Sequence, residues 1–212
     1  MRRLFVLLLS AFMILALAAC GSSEATKASS GTSEKSLEGQ AIAKENVTQT
    51  TGQEKHILVA YFSCTGTTKA LAQNVADILN ADIYEIVPEI PYTANDLNYN
   101  DESSRSTVEQ KNDAARPALK DGNANIEHYD TIVLAYPIWW GQAPRIIDTF
   151  MEHYDFSGKT IVPVCTSGGS DIGSSANYLH GLCAASAKWK DGKRFGNDNQ
   201  SELKNWLNSL GL

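Results

Sequence analysis

Apolar runs alternate with helix-like segments over the second part of the chain. Residues 57–62 form a continuous apolar run of strand-favouring side chains, which is typical of a strand buried on both faces of a parallel sheet. The same pattern predicts strands at residues 83–87, 131–136 and 161–165, and a weaker one at 187–189.

Apolar residues at helical spacing separate these strands. The positions that define three helices are Leu71, Val75, Ile78 and Leu79; then Ile146, Ile147, Phe150, Met151 and Tyr154 after Pro144; and finally Leu203, Trp206, Leu207 and Leu210 before Gly211. Strands that alternate with helices predict βαβ units with right-handed crossovers. We therefore expect an α/β protein with a five-stranded parallel sheet of order 2-1-3-4-5, covered by helices on both faces.

The N-terminus has a different pattern. Met1 is followed by two arginines and by the apolar run of residues 4–19, which is typical of a signal peptide. The run ends in Leu-Ala-Ala-Cys-Gly, which resembles the processing box of bacterial lipoproteins. The resemblance implies that residues 1–19 are a signal peptide and that Cys20 is lipidated. An uncleaved N-terminal anchor is the alternative, and either one places the rest of the chain outside the cytoplasm and near a membrane.

Residues 20–54 are rich in Ser, Thr, Gly, Ala, Glu and Lys and contain no aromatic residue. Such a segment cannot bury enough apolar surface to offset its ordering entropy, so we expect a flexible tether. Its few charges and those of the leader cancel, so the net charge of −6 carried by the 212 residues belongs to residues 55–212. This acidic domain is large enough for one core and argues against a nucleic-acid partner. No metal-ligand motif such as CxxC or HExxH occurs.

Three loops follow predicted strands at the carboxyl edge of the sheet, where ligands bind in this class of fold. The first joins strand one to a helix, and it consists of Ser63, Cys64, Thr65, Gly66, Thr67 and Thr68. Hydroxyl groups and a glycine at a helix N-terminus favour an anion such as phosphate. The alternative is an ordinary turn whose hydroxyls cap the helix. Neither GxxxxGK[ST] nor GxGxxG is present.

The second loop follows strand three and contains Pro137, Ile138, Trp139, Trp140 and Gly141. Adjacent tryptophans at a strand end suit a flat, π-rich ligand, although one or both could pack as core or lid. The third loop follows strand four and begins with Ser167, Gly168, Gly169 and Ser170. Its exposed donors and acceptors could bind the edge of a heterocycle, or it could be a plain glycine-rich connection.

Together the three loops resemble those of the flavodoxin family. The family's phosphate pattern [S/T]-x-T-G-x-T is met by Ser63, Thr65, Gly66 and Thr68, and the segment PIWWG resembles the flavin loop of a bacterial flavodoxin-like subgroup. The resemblance implies a three-layer flavodoxin-like sandwich over residues 55–212 with noncovalent FMN. Residues 63–68 would hold the phosphate, and residues 137–141 and 167–170 would flank the isoalloxazine, with the Gly141 peptide near the flavin N5.

The sequence departs from the family pattern at two places. Residues 88–130 are longer than one connecting helix needs. Within them, residues 91–104 read as an inserted loop and residues 107–115 as a helix. The strand-four loop has no aromatic residue that could complete a sandwich around a flavin ring. Cys64 occupies a free position of the phosphate motif, and a lowered thiol pKa at the helix N-terminus would leave it a redox role as an alternative.

No residue is an obvious catalytic acid, base or nucleophile. The resemblance implies an electron-transfer flavoprotein whose acidic surface suits a basic, unidentified redox partner. Two alternatives stay open: an FMN-dependent oxidoreductase that uses NAD(P)H or quinones, and a non-redox binding module with the same fold.

Overall fold

A computed structural model describes residues 56–196 and 199–212; the signal peptide, Cys20 and the tether that the sequence predicts lie outside this part of the chain. Its sheet has the strands β1 (Ile57–Tyr61), β2 (Asp82–Glu85), β3 (Thr131–Pro137), β4 (Thr160–Thr166), β5 (Lys188–Trp189) and β6 (Lys193–Arg194). All described pairs are parallel, and the order β2-β1-β3-β4-β5 confirms the predicted topology. The predicted strand boundaries agree to within two residues.

The helices are α1 (Thr67–Leu79), α2 (Arg105–Lys111), α3 (Arg145–His153), α4 (Ser175–His180) and α5 (Gln200–Ser209), with a 3₁₀ turn at Ile126–His128. Helix α2 lies earlier than the predicted range of 107–115. It stops at Asn112, which has extended backbone angles and whose side chain accepts a hydrogen bond from the Ala114 N–H at 3.0 Å. This local bond competes with helical pairing. Within the described ranges, no helix has the length and apolarity to cross a membrane.

The sheet is buried on both faces, because alternate side chains of each strand belong to two different clusters. Leu58, Ile132 and Ile161 face one side, where α3 contributes Ile146, Ile147, Phe150 and Met151. Val59, Val133 and Val162 face the other side, where α1 and α5 supply Leu71, Val75, Leu203 and Leu207. The result is the expected three-layer sandwich.

The edge of the sheet beside β4 is split into two short strands. Strand β5 pairs with the first residues of β4, and β6 pairs with Val164 and Cys165. Between them, Pro163 has no N–H to give to a neighbour. Gly192 lies so close to Pro163 that an added Cβ would be 3.0 Å from its carbonyl oxygen. Strand β6 was not predicted from the sequence, because its two residues are too few to show a periodic pattern.

The connection after β2 leaves the sheet and returns at one point. Pro88 and Leu119 form an antiparallel bridge, and the Lys120 N–H donates to the Val87 carbonyl at 2.8 Å. We call residues 89–118, which this bridge closes off, the inserted segment; it includes α2. Its polar first part is a loop, as predicted. The bridge holds the two ends of this segment beside the carboxyl edge of the sheet.

Candidate functional site

A cavity of about 610 Å³ lies at the carboxyl edge of the sheet. All three predicted loops contribute to its walls, through Ser63, Cys64, Thr65, Thr67, Thr68, Pro137, Ile138, Trp139, Trp140, Ser167 and Gly168. The remaining predicted residues, Gly66, Gly141, Gly169 and Ser170, do not line it. Four further lining residues were not predicted from the sequence, namely Leu97, Tyr99, Ser106 and Thr166.

Gly66 does not line the cavity but shapes the loop before α1. It is the N-cap residue, with φ of +89°, and its N–H donates to the Ser63 hydroxyl at 3.1 Å. Because glycine has no side chain, it cannot cap the N–H groups of the first helical turn, and these are left to a ligand or to water. The alternative in which hydroxyl groups cap this helix is therefore wrong for its N-cap. The loop keeps the features of an anion site.

Two hydroxyl groups join α1 to the end of β4. Thr68 and Thr166 are both buried, and their Oγ1 atoms are 2.8 Å apart. In contrast, Thr65 and Thr67 are exposed, with 3.4 Å between their hydroxyl oxygens. Thr68 thus anchors the helix to β4, whereas Thr65 and Thr67 present their hydroxyl groups to the cavity.

The tryptophan loop is a two-residue turn. Trp140 has φ of +47° and Gly141 has φ of +79°, so both central residues are left-handed, as a type I′ turn requires. Trp139 packs on the core, with ring centroids 5.6 Å from Phe62 and 5.3 Å from Tyr92. Trp140 keeps 44% of its surface exposed. Trp139 therefore packs against the core and also lines the cavity, whereas Trp140 presents a more exposed indole there.

The loop after β4 folds back on itself through one side chain. The Ser167 hydroxyl accepts a hydrogen bond from the Gly169 N–H at 3.2 Å and donates to the Ser170 carbonyl. This tight turn leaves Ser167 and Gly168 at the cavity wall. Gly169 and Ser170 lie outside the lining because the chain has already turned away.

The inserted segment forms the fourth wall. Leu97 and Tyr99 come from its loop and Ser106 from the first turn of α2. Tyr99 is 70% exposed, and it brings to the cavity an aromatic ring of the kind that the β4 loop lacks. The only signal for this wall in the sequence was the unusual length and Asn/Tyr content of the insertion.

A polar contact network holds the inserted segment against the site. The Gln110 side-chain amide donates to the Ala143 carbonyl at 2.9 Å, which joins α2 to the residues after the tryptophan turn. The Arg105 guanidinium lies 4.1 Å from the centre of the Tyr92 ring and donates to Glu109 at 2.6 Å. Burial, together with a hydrogen bond to Glu109, raises the pKa of Tyr92 well above its ordinary value. This phenol therefore stays neutral and acts as a donor.

Cys64 does not have the lowered pKa that a redox role would need. Burial raises the pKa of its thiol to about 12, and the charge of Arg105 opposes this effect only in part. At neutral pH the group is a protonated thiol with little nucleophilic character. The alternative of a lowered pKa and a redox role at this position is not supported, because desolvation by burial is the largest effect on this thiol.

The chemistry of the walls fits a ligand with an anionic end and a flat ring. Hydroxyl groups and helix N–H groups stand on one loop, an exposed indole stands on another, and the Ser106 hydroxyl is buried with no hydrogen-bond partner in the described residues. Such a buried, unpaired donor calls for a polar ligand atom. FMN has each of these features, so the residues present are compatible with it.

The sheet order and this edge cavity define an α/β protein of flavodoxin type. The sequence profile of the family described as Flavodoxin matches residues 56–210. The chain belongs to the flavodoxin family. No curated protein sequence matches it.

Solved structures agree with this assignment. A structure described as a flavoprotein from Bacteroides eggerthii is 43% identical with a TM-score of 0.71, and the match covers 74% of this chain and 99% of that one. A second, from Bacteroides uniformis, is 42% identical with a TM-score of 0.69 and covers 73% and 98%. A flavoprotein from Lactobacillus acidophilus, in complex with FMN, is 22% identical with a TM-score of 0.54 and covers 72% and 99%. The last likeness concerns the fold alone.

Proposed function

We propose that this flavodoxin binds FMN noncovalently and transfers electrons outside the cytoplasmic membrane. The proposal depends above all on one observation: the loops after β1, β3 and β4 share a single cavity at the carboxyl edge of the sheet. The N-terminus of α1, which has no side-chain cap, lies at one wall of that cavity, and an exposed indole lies at another. These are the two ends that the ribityl phosphate and the ring of FMN require.

Each loop has a distinct task in this proposal. The loop of residues 63–68 binds the phosphate through the first-turn N–H groups of α1 and the hydroxyls of Thr65 and Thr67. Trp140 lies against the ring, and the left-handed turn at Gly141 leaves a backbone peptide free to meet the ring edge. The β4 loop contributes Ser167 and Gly168 to the cavity wall. When bound, FMN supplies the redox chemistry, and the chain orients it and limits its exposure to water.

Two features support electron transfer. The sequence offers no evident acid, base or nucleophile, and the Cys64 thiol at the cavity is held protonated by burial. The domain of residues 55–212 also carries the whole net charge of −6, which suits transient docking to a basic redox protein. Raising the salt concentration should slow electron transfer to such a partner.

A reductive titration tests the electron-transfer role. We expect the bound flavin to be reduced in two separate one-electron steps, each with its own absorbance change, and NADPH alone to bleach it slowly. A single two-electron step with rapid bleaching by NADPH would contradict the carrier role.

An FMN-dependent oxidoreductase is the second candidate, and one observation favours it. Leu97 and the exposed Tyr99 extend the cavity wall beyond the three strand-end loops, which provides an apolar surface for a flat acceptor such as a quinone. Turnover of NAD(P)H that depends on an added quinone would support this candidate. No turnover, together with electron exchange with a redox protein, would support the carrier.

The location is proposed from the sequence of the N-terminus. Residues 1–19 would be removed as a lipoprotein signal peptide, Cys20 would carry the lipid, and residues 20–54 would tether the flavin domain to the membrane. Metabolic labelling with a fatty-acid analogue tests this. We expect the wild-type chain to be labelled and to sediment with membranes, and Cys20→Ala to lose the label. An unlabelled wild-type chain in the cytoplasmic fraction would contradict the proposal.

A further inference from the structure

We propose that the inserted segment is a fourth FMN-binding element and that the Ser106 hydroxyl is its hydrogen-bond donor to the cofactor. The inference rests on the proposed FMN function and adds a binding residue outside the three strand-end loops. It concerns affinity for the cofactor, and it can be tested on the protein without any redox partner.

The first observation is the state of the Ser106 side chain. Ser106 is 1% exposed and lines the cavity, and its Oγ has no hydrogen-bond partner within the described residues. Buried hydroxyl groups are almost always paired, because an unpaired one retains its full desolvation cost. A polar ligand atom in the cavity would supply the missing partner.

The second observation is that the backbone around Ser106 is already fixed. Its N–H donates to the Asp96 carbonyl at 3.0 Å, which joins α2 to the loop that carries Leu97 and Tyr99. At the other end of the helix, Gln110 is bonded to the Ala143 carbonyl. The backbone that carries the Ser106 side chain is thus fixed before a ligand arrives, which lowers the entropic cost of binding.

The neighbouring Ser104 has a purely structural role in this helix. It is the N-cap residue of α2 and is also buried, but its hydroxyl is 2.8 Å from the Thr107 hydroxyl and it does not line the cavity. The Ser104 hydroxyl therefore bonds within the helix, whereas the Ser106 hydroxyl has no partner within the described residues. The pair gives a matched control within one turn of helix.

The two serines predict opposite results when each is replaced by alanine. Ser106→Ala removes an unpaired hydroxyl, so the urea midpoint of the apoprotein should stay the same or rise, while the Kd for FMN rises about five- to twentyfold. Ser104→Ala leaves the Thr107 hydroxyl without its partner, so the urea midpoint should fall and the Kd for FMN should stay unchanged.

The experiment is a fluorescence titration of FMN into the apo form of the full chain, for the wild type and both variants. Ser106→Cys, which keeps the shape but is a weak donor, is measured alongside as a second variant, and its Kd for FMN should also be higher than that of the wild type. If the Ser106 variants bind FMN as tightly as the wild type does, this inference alone is overturned. Failure of the wild-type chain to bind FMN would instead overturn the proposed function.

Discussion

Trp139 and Gln142 exchange two backbone hydrogen bonds, of 2.9 and 3.0 Å, across a turn of two residues. This pairing forces Trp140 into a left-handed conformation that bulky side chains rarely adopt. Backbone strain of this kind costs about 1–3 kcal/mol and is found mostly at functional sites. The turn is therefore less stable than an unstrained turn would be, and its conformation places an indole at the cavity.

The strain at Trp140 predicts a difference between two substitutions that both remove the indole. Asparagine tolerates the left-handed region and alanine does not, so Trp140→Asn should be more stable than Trp140→Ala by about 1 kcal/mol, or roughly 3 °C in Tm. Thermal unfolding of the apoprotein measures this. Trp140→Phe, which keeps a ring, is the control for FMN binding and should bind more tightly than either. Equal Tm values for the asparagine and alanine variants would show that the turn is unstrained.

The buried hydroxyl pair of Thr68 and Thr166 predicts a non-additive mutant cycle. Changing either threonine alone to valine leaves the other hydroxyl unpaired and should lower the free energy of unfolding by about 1–3 kcal/mol. The double variant replaces both with apolar groups of the same shape, so it should be at least as stable as either single variant. Urea denaturation gives all four values. If the two single losses simply add, the hydroxyls are not coupled.

Gly66 and Gly169 give a matched pair for the phosphate loop. Among the atoms of residues 56–196 and 199–212, none lies within 4 Å of a Cβ added at either glycine, but of the two only Gly66 has a left-handed φ. Gly66→Ala should therefore destabilise the domain by about 1–2 kcal/mol through the backbone alone and weaken FMN binding, while Gly169→Ala should do neither. Chemical denaturation and FMN titration of the two variants test this. Similar effects at both positions would mean that the backbone angle at Gly66 does not matter.

The raised pKa of Cys64 predicts slow alkylation. The thiolate is the reactive form, and with a pKa of about 12 its fraction is very small at neutral pH. Iodoacetamide labelling followed by mass spectrometry should show Cys64 reacting far more slowly in the folded chain than in urea at pH 7.5, with a rate that still increases above pH 9. Fast labelling of the folded chain at pH 7.5 would restore a redox role for this residue.

Much of the fold could be predicted because it follows from burial. A strand covered on both faces must be apolar throughout. The apolar runs therefore predicted the boundaries of β1, β3 and β4 to within two residues. The three strand-end loops followed from the topology, since parallel strands in a doubly wound sheet end at the same edge. Four of the predicted site residues still lie off the cavity wall, because local turns such as the one closed by Ser167 set the direction of a loop.

The contribution of the inserted segment could not be predicted in the same way. Leu97, Tyr99 and Ser106 lie in a polar stretch without periodicity, and their place depends on long-range contacts such as the bridge between Pro88 and Leu119. Similarly, the raised pKa of Cys64 depends on how deeply the thiol is buried. Sequence spacing contains neither kind of information.

The most direct test of the central claim is the flavin content of the purified full chain. Its absorbance spectrum is recorded, the cofactor is released by denaturation, and the released flavin is identified by chromatography. We expect a yellow protein with about one FMN per chain, or an apo form that gains this amount after incubation with FMN and gel filtration. A correctly folded chain that retains no flavin after this treatment would contradict the claim and leave a binding module without redox function.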